Sequence, residues 1–374
     1  MKAIQMVDLH SQYLKIKPEI DGGIFDVIES TSFVKGQKVK DFQQNLAKYL
    51  NAKHVIAVGN GTDALQIALM ALDLKPDDEV ITPTFTFIAT AEVVALLGLK
   101  PVLVDVDFNT FCIDIQALEK AITSKTKAIV PVHLFGQNAD MEKILELAKK
   151  HNLYVIEDAC QSMGAQYIFE NGERKHSGTM GTIGCTSFFP SKNLGCYGDG
   201  GAIFTDDDNL AEKITMIANH GMKVRYYHDV VGVNSRLDTI QAAILDAKLK
   251  QLDNYIASRQ KAAEFYNNAF KDCKNIITPK TAHFTTHSFH QYTLKLVDTD
   301  RDNLIKKLME KGIPAMVYYP VPLHRQKAYR DARYSAGDFP IAEKLAETVI
   351  SLPMHTELDT EQLEYITNSV LKIM

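Results

Sequence analysis

Between residues 54 and 160, short runs of apolar and β-branched residues alternate with stretches in which apolar residues recur every three or four positions. The apolar runs cover residues 54–58, 79–83, 101–106, 128–134 and 153–159. This alternation predicts βαβ units that build a mostly parallel central sheet. Because the runs are almost continuously apolar, helices are expected to cover both faces of that sheet. The pattern therefore predicts an α/β protein.

The second half of the chain has a different pattern. It predicts, in chain order, strands at 185–190 and 201–206 around a glycine-rich turn, a strand at 291–297, a helix at 301–312 and a strand at 314–319. A helical stretch at 235–271 joins this part to the first half. We expect a large domain at residues 1–250 and a smaller C-terminal α+β domain at residues 251–374, with the boundary inside the joining helix.

Composition and charge exclude several classes of protein. The 374 residues include 41 Lys and Arg against 46 Asp and Glu, which gives a net charge of −5. With 46% hydrophobic residues, the chain is neither disordered nor a coiled coil. Sequence-independent binding to nucleic acid is also disfavoured, because it needs a basic surface. The five cysteines form no C-x-x-C pair, so we expect neither a metal site nor a disulfide framework.

The distribution of apolar residues along the chain indicates where in the cell the protein is located. No apolar run is long enough to span a membrane, and the first residues lack the apolar region of a signal peptide. We therefore expect a cytoplasmic protein with neither a membrane nor a nucleic acid as its partner.

The segment from Gly59 to Leu65 is the first candidate for a ligand site. It follows a predicted strand and begins a predicted helix, and its glycines allow backbone amides to approach an anion such as phosphate. The Thr62 hydroxyl would be a further donor. Taken alone, the segment fits better a plain turn in which Thr62 or Asp63 caps the helix. Its spacing matches neither G-x-G-x-x-G nor G-x-x-x-x-G-K, which disfavours a nicotinamide-dependent oxidoreductase.

Asp158 ends a predicted buried strand, where a carboxylate faces the crevice in which α/β proteins bind ligands. A buried carboxylate needs a partner, and a protonated ring nitrogen, a metal or an arginine would each serve. Capping of the next helix would explain Asp158 equally well. Three other residues at predicted strand ends, Asp107, His133 and Glu157, are as consistent with caps or structural groups as with a site.

Lys192 lies in a glycine-rich turn between two predicted strands, directly after an aromatic pair. Most lysines are solvated surface residues, but a confined lysine loses its proton readily and can form a Schiff base. Ser187 lies close enough in sequence to offer its hydroxyl to the same phosphate. A phosphate site, a buried carboxylate and a confined lysine together are what pyridoxal phosphate requires.

Seven segments of the chain resemble the nucleotide-sugar aminotransferases of the DegT/DnrJ/EryC1/StrS family. They are GTDALQIAL, VITPTFTFIATAE, PVHLFGQ, VIEDACQSMGA, SFFPSKNLGCYGDGGAIFT, VGVNSRLDTIQAAIL and YYPVPLH. The matches run from Leu9 to Leu352 in the order of the family. Within it, two segments most resemble the subgroup that aminates UDP-2-acetamido-2-deoxy-3-oxo-glucuronate for lipopolysaccharide biosynthesis.

The resemblance implies a fold-type-I transferase that depends on pyridoxal phosphate, with Lys192 as the Schiff-base lysine and Asp158 as the partner of the pyridinium nitrogen. It implies further cofactor contacts for Gly61, Thr62, Phe87, Gln161, Ser187 and Asn234. Asn234 would come from the partner subunit, so a homodimer with shared active sites is implied. It implies contacts with the nucleotide sugar for Thr31, Phe33, Ser191, Arg236, Tyr318 and Tyr319. Phe85 is an alternative to Phe87 for stacking on the cofactor.

The substrate and the amino donor also follow from the resemblance. It implies a keto-sugar linked to a nucleotide as the acceptor and L-glutamate as the donor. Tyr318 replaces a histidine of close relatives, and Thr31 to Phe33 replaces a G-Q-Y segment. Both differences lie where the sugar would bind, so a 3- or 4-aminotransferase of a dTDP-keto-hexose is an alternative. A noncatalytic regulator that binds pyridoxal phosphate is an alternative of another class.

Overall fold

The computed structural model describes residues 2–329 and 331–374, and these residues form a seven-stranded sheet, a three-stranded sheet and two two-stranded sheets. The helices in these residues are α1 (Leu9–Lys15), α2 (Lys17–Ser30), α3 (Gln37–Leu50), α4 (Gly61–Ala71), α5 (Ala89–Leu96), α6 (Ile115–Ala121), α7 (Met141–His151), α8 (Asp208–Ile217), α9 (Thr239–Leu249), α10 (Leu252–Phe270), α11 (Arg301–Glu310), α12 (Pro340–Thr348) and α13 (Thr360–Ile373). The strands are β1 (His54–Val58), β2 (Glu79–Pro83), β3 (Lys100–Val104), β4 (Thr126–Ile129), β5 (Tyr154–Asp158), β6 (Gln166–Ile168), β7 (Arg174–His176), β8 (Ile183–Ser187), β9 (Gly201–Thr205), β10 (Met222–Val224), β11 (Tyr227–His228), β12 (Ile276–Ile277), β13 (Tyr292–Leu296) and β14 (Val349–Leu352). The two-stranded sheets are β6-β7 and β10-β11.

The large sheet has seven strands in the order β1-β9-β8-β5-β4-β2-β3. The five strands from β8 to β3 pair in parallel, as the alternating pattern predicts. Strand β9 is antiparallel to both of its neighbours, β8 and β1. The sheet is therefore mostly parallel, and the parallel strands bring their carboxyl ends to one edge.

Apolar side chains cover both faces of the large sheet. On one face, α4 packs Ala64, Leu65 and Ala68 into a cluster with residues of α5 and α8. On the other face, Leu118 of α6 and Ile144 of α7 belong to a separate buried cluster. Each layer removes apolar surface from water, which is the dominant favourable contribution to folding. This arrangement explains why the parallel strands are apolar at nearly every position.

A second core lies in the C-terminal part of the chain. The antiparallel sheet β12-β13-β14 packs against α10, α11 and α13, with Tyr266, Phe270, Tyr292, Leu294 and Ile366 among its buried residues. The predicted helical stretch over 235–271 consists of two helices, and the expectation that the boundary lies inside a helix is wrong, because α9 ends at Leu249 and α10 begins at Leu252. A separate core beyond this junction supports a division near residue 250, which stays a prediction.

Several strands end earlier than the pattern predicts. Strand β4 ends at Ile129 instead of residue 134, and the next residues form only an isolated bridge between Val132 and Asp158. The predicted strand at 314–319 forms a single bridge, between Met316 and Ser351. In both places the chain leaves the sheet to bring residues into the cavity described below. Apolar content alone does not reveal such departures, because the residues remain buried without pairing.

Candidate active site

A cavity of about 650 Å³ opens at the carboxyl ends of the parallel strands. Its wall includes residues that lie two or three positions after the ends of β1, β2, β4, β5 and β8. Parallel strands direct their carboxyl ends to one edge, and α/β proteins bind ligands in the crevice there. Ten residues singled out from the sequence line this cavity: Gly61, Thr62, Phe87, Asp158, Gln161, Ser187, Ser191, Lys192, Tyr318 and Tyr319.

Lys192 lies in the turn between β8 and β9, where its backbone N–H donates to the Phe189 carbonyl at 2.8 Å. Burial lowers the pKa of its amine, and the nearby Cys160 and Asp158 partly oppose this effect. Lowering the pKa increases the fraction of unprotonated amine, which is the form that attacks a carbonyl carbon. The position of Lys192 therefore suits a nucleophilic amine.

Asp158 is 5% exposed and ends β5 inside the cavity. Its Oδ2 atom accepts a hydrogen bond from the Thr90 hydroxyl at 2.8 Å, and its Oδ1 atom accepts one from the Cys160 backbone N–H at 3.2 Å. Both donors are neutral, so they orient the carboxylate without neutralising it. A buried carboxylate held in this way fits a cationic partner supplied by a ligand. Thr90 carries no signal in the sequence that marks it as a partner of Asp158.

The start of α4 lies against the end of β8. Asn60 caps this helix by accepting a hydrogen bond from the Asp63 backbone N–H at 2.8 Å. The expectation that Thr62 or Asp63 is the cap is wrong, because Asp63 instead accepts a hydrogen bond from the Ser235 hydroxyl. A Cβ atom on Gly61 would lie 2.7 Å from Cβ of Ser187. The first turn of α4 and Ser187 thus form a tight cradle in which backbone amides and a hydroxyl can bind an anion.

Gln161 connects two other walls of the cavity. Its Oε1 atom accepts a hydrogen bond from the Phe135 backbone N–H at 3.0 Å, and its Nε2 atom donates to the Tyr319 hydroxyl at 3.0 Å. Burial raises the pKa of Tyr319, which keeps its phenol neutral. Phe87 is 54% exposed at the cavity, whereas Phe85 is fully buried in the core. Of the two aromatic candidates, only Phe87 is placed to contact a bound ring.

Four residues singled out from the sequence lie outside the cavity of the single chain: Thr31, Phe33, Asn234 and Arg236. Thr31 is the C-cap residue that follows α2, and Phe33 is an exposed aromatic residue. Asn234 forms a bridge with Asn219, and its side chain accepts a hydrogen bond from the Arg236 guanidinium. One chain by itself therefore does not bring these residues to Lys192.

Glu157 precedes Asp158 but has a structural role. It is buried, and it accepts hydrogen bonds from His133 Nε2 at 2.8 Å and from the backbone amides of Gly178, Met180 and Gly181. Side chains alternate along a strand, so Glu157 and Asp158 point to opposite faces of β5. Asp107 accepts hydrogen bonds from the backbone of its own turn. His133 and Glu157 are therefore structural groups, and Asp107 stabilises the turn that follows it.

A model of the DegT/DnrJ/EryC1/StrS aminotransferase family matches residues 15–371. The chain belongs to this family. The family is one of aminotransferases, so the protein is an aminotransferase, as the sequence segments indicate. The mostly parallel sheet with a lysine and an aspartate at one cavity is the fold-type-I arrangement that the resemblance implies.

Two relatives and one solved structure give the degree of similarity. The chain is 49% identical to a pleiotropic regulatory protein of Geobacillus stearothermophilus, over 98% of this chain and 97% of the relative. It is 48% identical to the UDP-2-acetamido-2-deoxy-3-oxo-D-glucuronate aminotransferase of Pseudomonas aeruginosa, over 97% and 98%. The crystal structure of S. venezuelae DesV in complex with a ketimine intermediate superposes with a TM-score of 0.95 at 37% identity, covering 100% of this chain and 99% of that one.

The cofactor of this family member is pyridoxal phosphate, and the cavity contains the groups that it needs. A buried carboxylate that accepts hydrogen bonds from two neutral donors suits the protonated ring nitrogen, a confined lysine suits the aldehyde, and the start of α4 with Ser187 suits the phosphate. The described residues contain no cluster of three or more His, Cys, Asp or Glu side chains that could hold a metal ion. Among the described helices, none combines the length and the apolar character needed to cross a membrane.

The structure also reveals cavity residues that the sequence did not single out. His290 and Gln291 line the cavity but belong to none of the candidate-site or family segments noted in the sequence, whereas Asn60 and Phe135 lie in such segments without having been assigned a role. His290 and Gln291 come from the loop before β13, about a hundred residues after Lys192 in the chain. Only the packing of the C-terminal part against the large sheet brings them to the site.

Proposed function

We propose that the protein transfers an amino group from L-glutamate to a keto-sugar that is linked to a nucleotide. The observation that carries this proposal is the placement of Lys192 and Asp158 in one cavity with the anion cradle at the start of α4. The proposed acceptor is UDP-2-acetamido-2-deoxy-3-oxo-glucuronate, aminated at carbon 3 for the biosynthesis of lipopolysaccharide. The similarity to the P. aeruginosa enzyme, at 48% identity, supports this choice.

An acceptor linked to dTDP is the second candidate. A dTDP-3-amino-3,4,6-trideoxy-alpha-D-glucose transaminase of Streptomyces venezuelae is 38% identical over 98% of this chain. The replacements at Tyr318 and at Thr31 to Phe33 keep this alternative open, because they lie at positions assigned to the sugar. Steady-state rates with UDP- and dTDP-linked keto-sugars, measured side by side, distinguish the two acceptors.

Asp158, Lys192 and the anion cradle formed by the first turn of α4 and Ser187 have separate roles in the proposed reaction. Bound pyridoxal phosphate supplies an electron sink for the carbon that gains or loses the amino group. Asp158, oriented by Thr90 and Cys160, would stabilise the proton on the ring nitrogen. Lys192 would hold the cofactor and would move a proton at the reacting carbon, first as general base and then as general acid. The first turn of α4 and Ser187 would hold the phosphate.

The absorbance of the purified protein tests the catalytic assignment. Wild-type protein with pyridoxal phosphate should show a band at roughly 410–430 nm from the lysine-bound cofactor. Addition of L-glutamate should shift this band to shorter wavelength. Lys192→Ala should lack the band, whereas a matched change of an exposed lysine, Lys143→Ala, should retain it. A band that forms but does not respond to any amino donor would favour the noncatalytic regulator, the class to which the name of the Geobacillus relative points.

We also propose a homodimer in which each site is completed by Asn234 of the partner subunit. In the single chain Asn234 is exposed and lies outside the cavity, while Phe33 and Val34 expose 46% and 54% of their surface. Co-refolding Lys192→Ala with Asn234→Ala tests this arrangement. Half of the dimers would be mixed, each with one intact site, so about a quarter of wild-type activity should return. Unshared sites would leave the mixture no more active than the average of the two variants.

The proposed compartment is the cytoplasm. The five cysteines of the protein are all free thiols. Free thiols are typical of reducing compartments. Fractionation of cells that produce the protein, followed by activity assay of each fraction, tests this location.

A further inference from the structure

His290 is a buried histidine in the wall of the cavity that has no described role. It is 6% exposed and lines the same cavity as Lys192. Its Nδ1 atom is enclosed and has no hydrogen-bond partner. Among the described residues, no hydrogen bond reaches its Nε2 atom either. Buried polar groups in proteins are almost always paired, so an unpaired imidazole at a binding cavity calls for an explanation.

The loop that carries His290 is held firmly. Four successive carbonyl groups of this loop each accept a hydrogen bond from a side chain, and two of the three donors, Asn193 and Arg259, are buried. The side chain of Gln260 donates to the His287 carbonyl at 3.0 Å, and that of Asn193 donates to the Ser288 carbonyl at 3.1 Å. The Arg259 guanidinium donates to the carbonyls of Phe289 and His290 at 3.1 and 3.3 Å. Asn193 follows Lys192 directly, so the loop is tied to the turn that carries the catalytic lysine. The imidazole of His290 is thus fixed by its backbone while its own nitrogens remain free.

The charge around His290 keeps its ring neutral. Burial lowers its pKa well below the usual value, and the positive charges of Lys192 and Arg259 lower it further. A neutral imidazole has one N–H donor and one nitrogen acceptor. Its best partner is an uncharged group that can donate or accept, such as a hydroxyl or a carbonyl oxygen. A carboxylate would instead favour the protonated ring, which the two cations oppose.

We propose that His290 binds the sugar substrate, with Nε2 forming a hydrogen bond to a hydroxyl or carbonyl oxygen close to the carbon that is aminated. Nδ1 is enclosed, so Nε2 is the nitrogen that a ligand in the cavity meets. The proximity of His290 to Lys192 places this contact near the reacting carbon instead of near the nucleotide. The assignment rests on the proposed function, since it takes a keto-sugar as the occupant of the cavity.

The two half-reactions, measured separately, test this role. His290→Leu should lower kcat/KM for the keto-sugar about tenfold, the effect of one lost hydrogen bond of about 1.4 kcal/mol. It should leave the absorbance band and the rate of the L-glutamate half-reaction within about twofold of wild type. His290→Gln, which keeps a polar group at the reach of Nε2, should recover most of the loss. In calorimetry, the affinity for the amino-sugar nucleotide product should fall by a similar factor in His290→Leu only.

His355→Leu is the matched control. His355 is also buried with an unpaired nitrogen, but it does not line the cavity, so its replacement should change neither half-reaction. A His290→Leu variant with wild-type sugar kinetics would overturn the assignment. Equal losses in both half-reactions, or loss of the absorbance band, would also overturn it and indicate a structural or cofactor role. Wild-type protein that aminates no keto-sugar would instead refute the proposed function, a result that does not depend on any His290 variant.

Discussion

Replacing Gly61 by alanine tests whether the cofactor's phosphate sits between α4 and β8. The added Cβ atom would lie 2.7 Å from Cβ of Ser187 and 3.0 Å from Sγ of Cys160. Carbon atoms pack at about 3.5–4.0 Å, so α4 and β8 must separate by about 1 Å. Overpacking of this kind costs about 1–3 kcal/mol. Across 374 residues, that cost corresponds to a fall in Tm of about 1–4 °C.

The separation should also weaken cofactor binding. If the phosphate lies between the first turn of α4 and Ser187, Gly61→Ala loses at least one charge-assisted hydrogen bond, and the affinity for pyridoxal phosphate should fall about tenfold or more. Thermal unfolding of the cofactor-free protein and titration with pyridoxal phosphate, followed by absorbance, measure the two effects. Gly22→Ala is the matched control, because Gly22 lies in α2 with no atom within 4 Å of its added Cβ. It should stabilise the protein by about 0.5–1 kcal/mol without changing affinity. Wild-type affinity in Gly61→Ala would refute the location of the phosphate.

Two further predictions concern stability. Glu157→Ala should destabilise the protein by about 3–5 kcal/mol, because His133 and three backbone amides lose a buried acceptor. Chemical denaturation measures the free energy of unfolding, and a decrease of less than about 1 kcal/mol would contradict the structural role of Glu157. Burial lowers the pKa of His287 to about 3 and that of His355 to about 4, from 6.5. The unfolded chain therefore binds more protons below pH 6.5, and stability should be complete above that value and decrease as the pH falls towards 4. Unfolding curves between pH 7 and pH 4 measure how steeply the free energy of unfolding depends on pH, and His355→Asn should make this dependence weaker. An unchanged pH dependence in His355→Asn would show that His355 does not contribute to it.

Much of the fold was predictable because hydrophobic periodicity records local burial. The predicted runs at 54–58 and 79–83 have the bounds of β1 and β2. The runs at 128–134 and 314–319 misled the prediction, because the residues that leave the sheet are also packed against apolar neighbours. The break between α9 and α10 was missed for a related reason, since the amphipathic pattern continues across it.

The residues of the site were predictable from short motifs, but the contacts between residues far apart in the chain were not. The order of Gly61, Asp158 and Lys192 along the chain already indicated a site for pyridoxal phosphate. Their supporting contacts were not predictable, because a hydrogen bond does not mark its partners in the sequence. Thr90 is 68 positions from Asp158, and Gln161 is 158 positions from Tyr319.

The sequence by itself determined the α/β class, the family and the residue types that bind and activate the cofactor, because these depend on local patterns and on short motifs. Only the tertiary structure decided that β9 runs antiparallel between β1 and β8, that Phe87 and not Phe85 faces the cavity, and that His290 reaches it. Each of these outcomes depends on which distant segments pack together. Packing depends on the whole chain, because a segment packs stably against another only if the shapes of all the surrounding segments fit together in a close-packed interior.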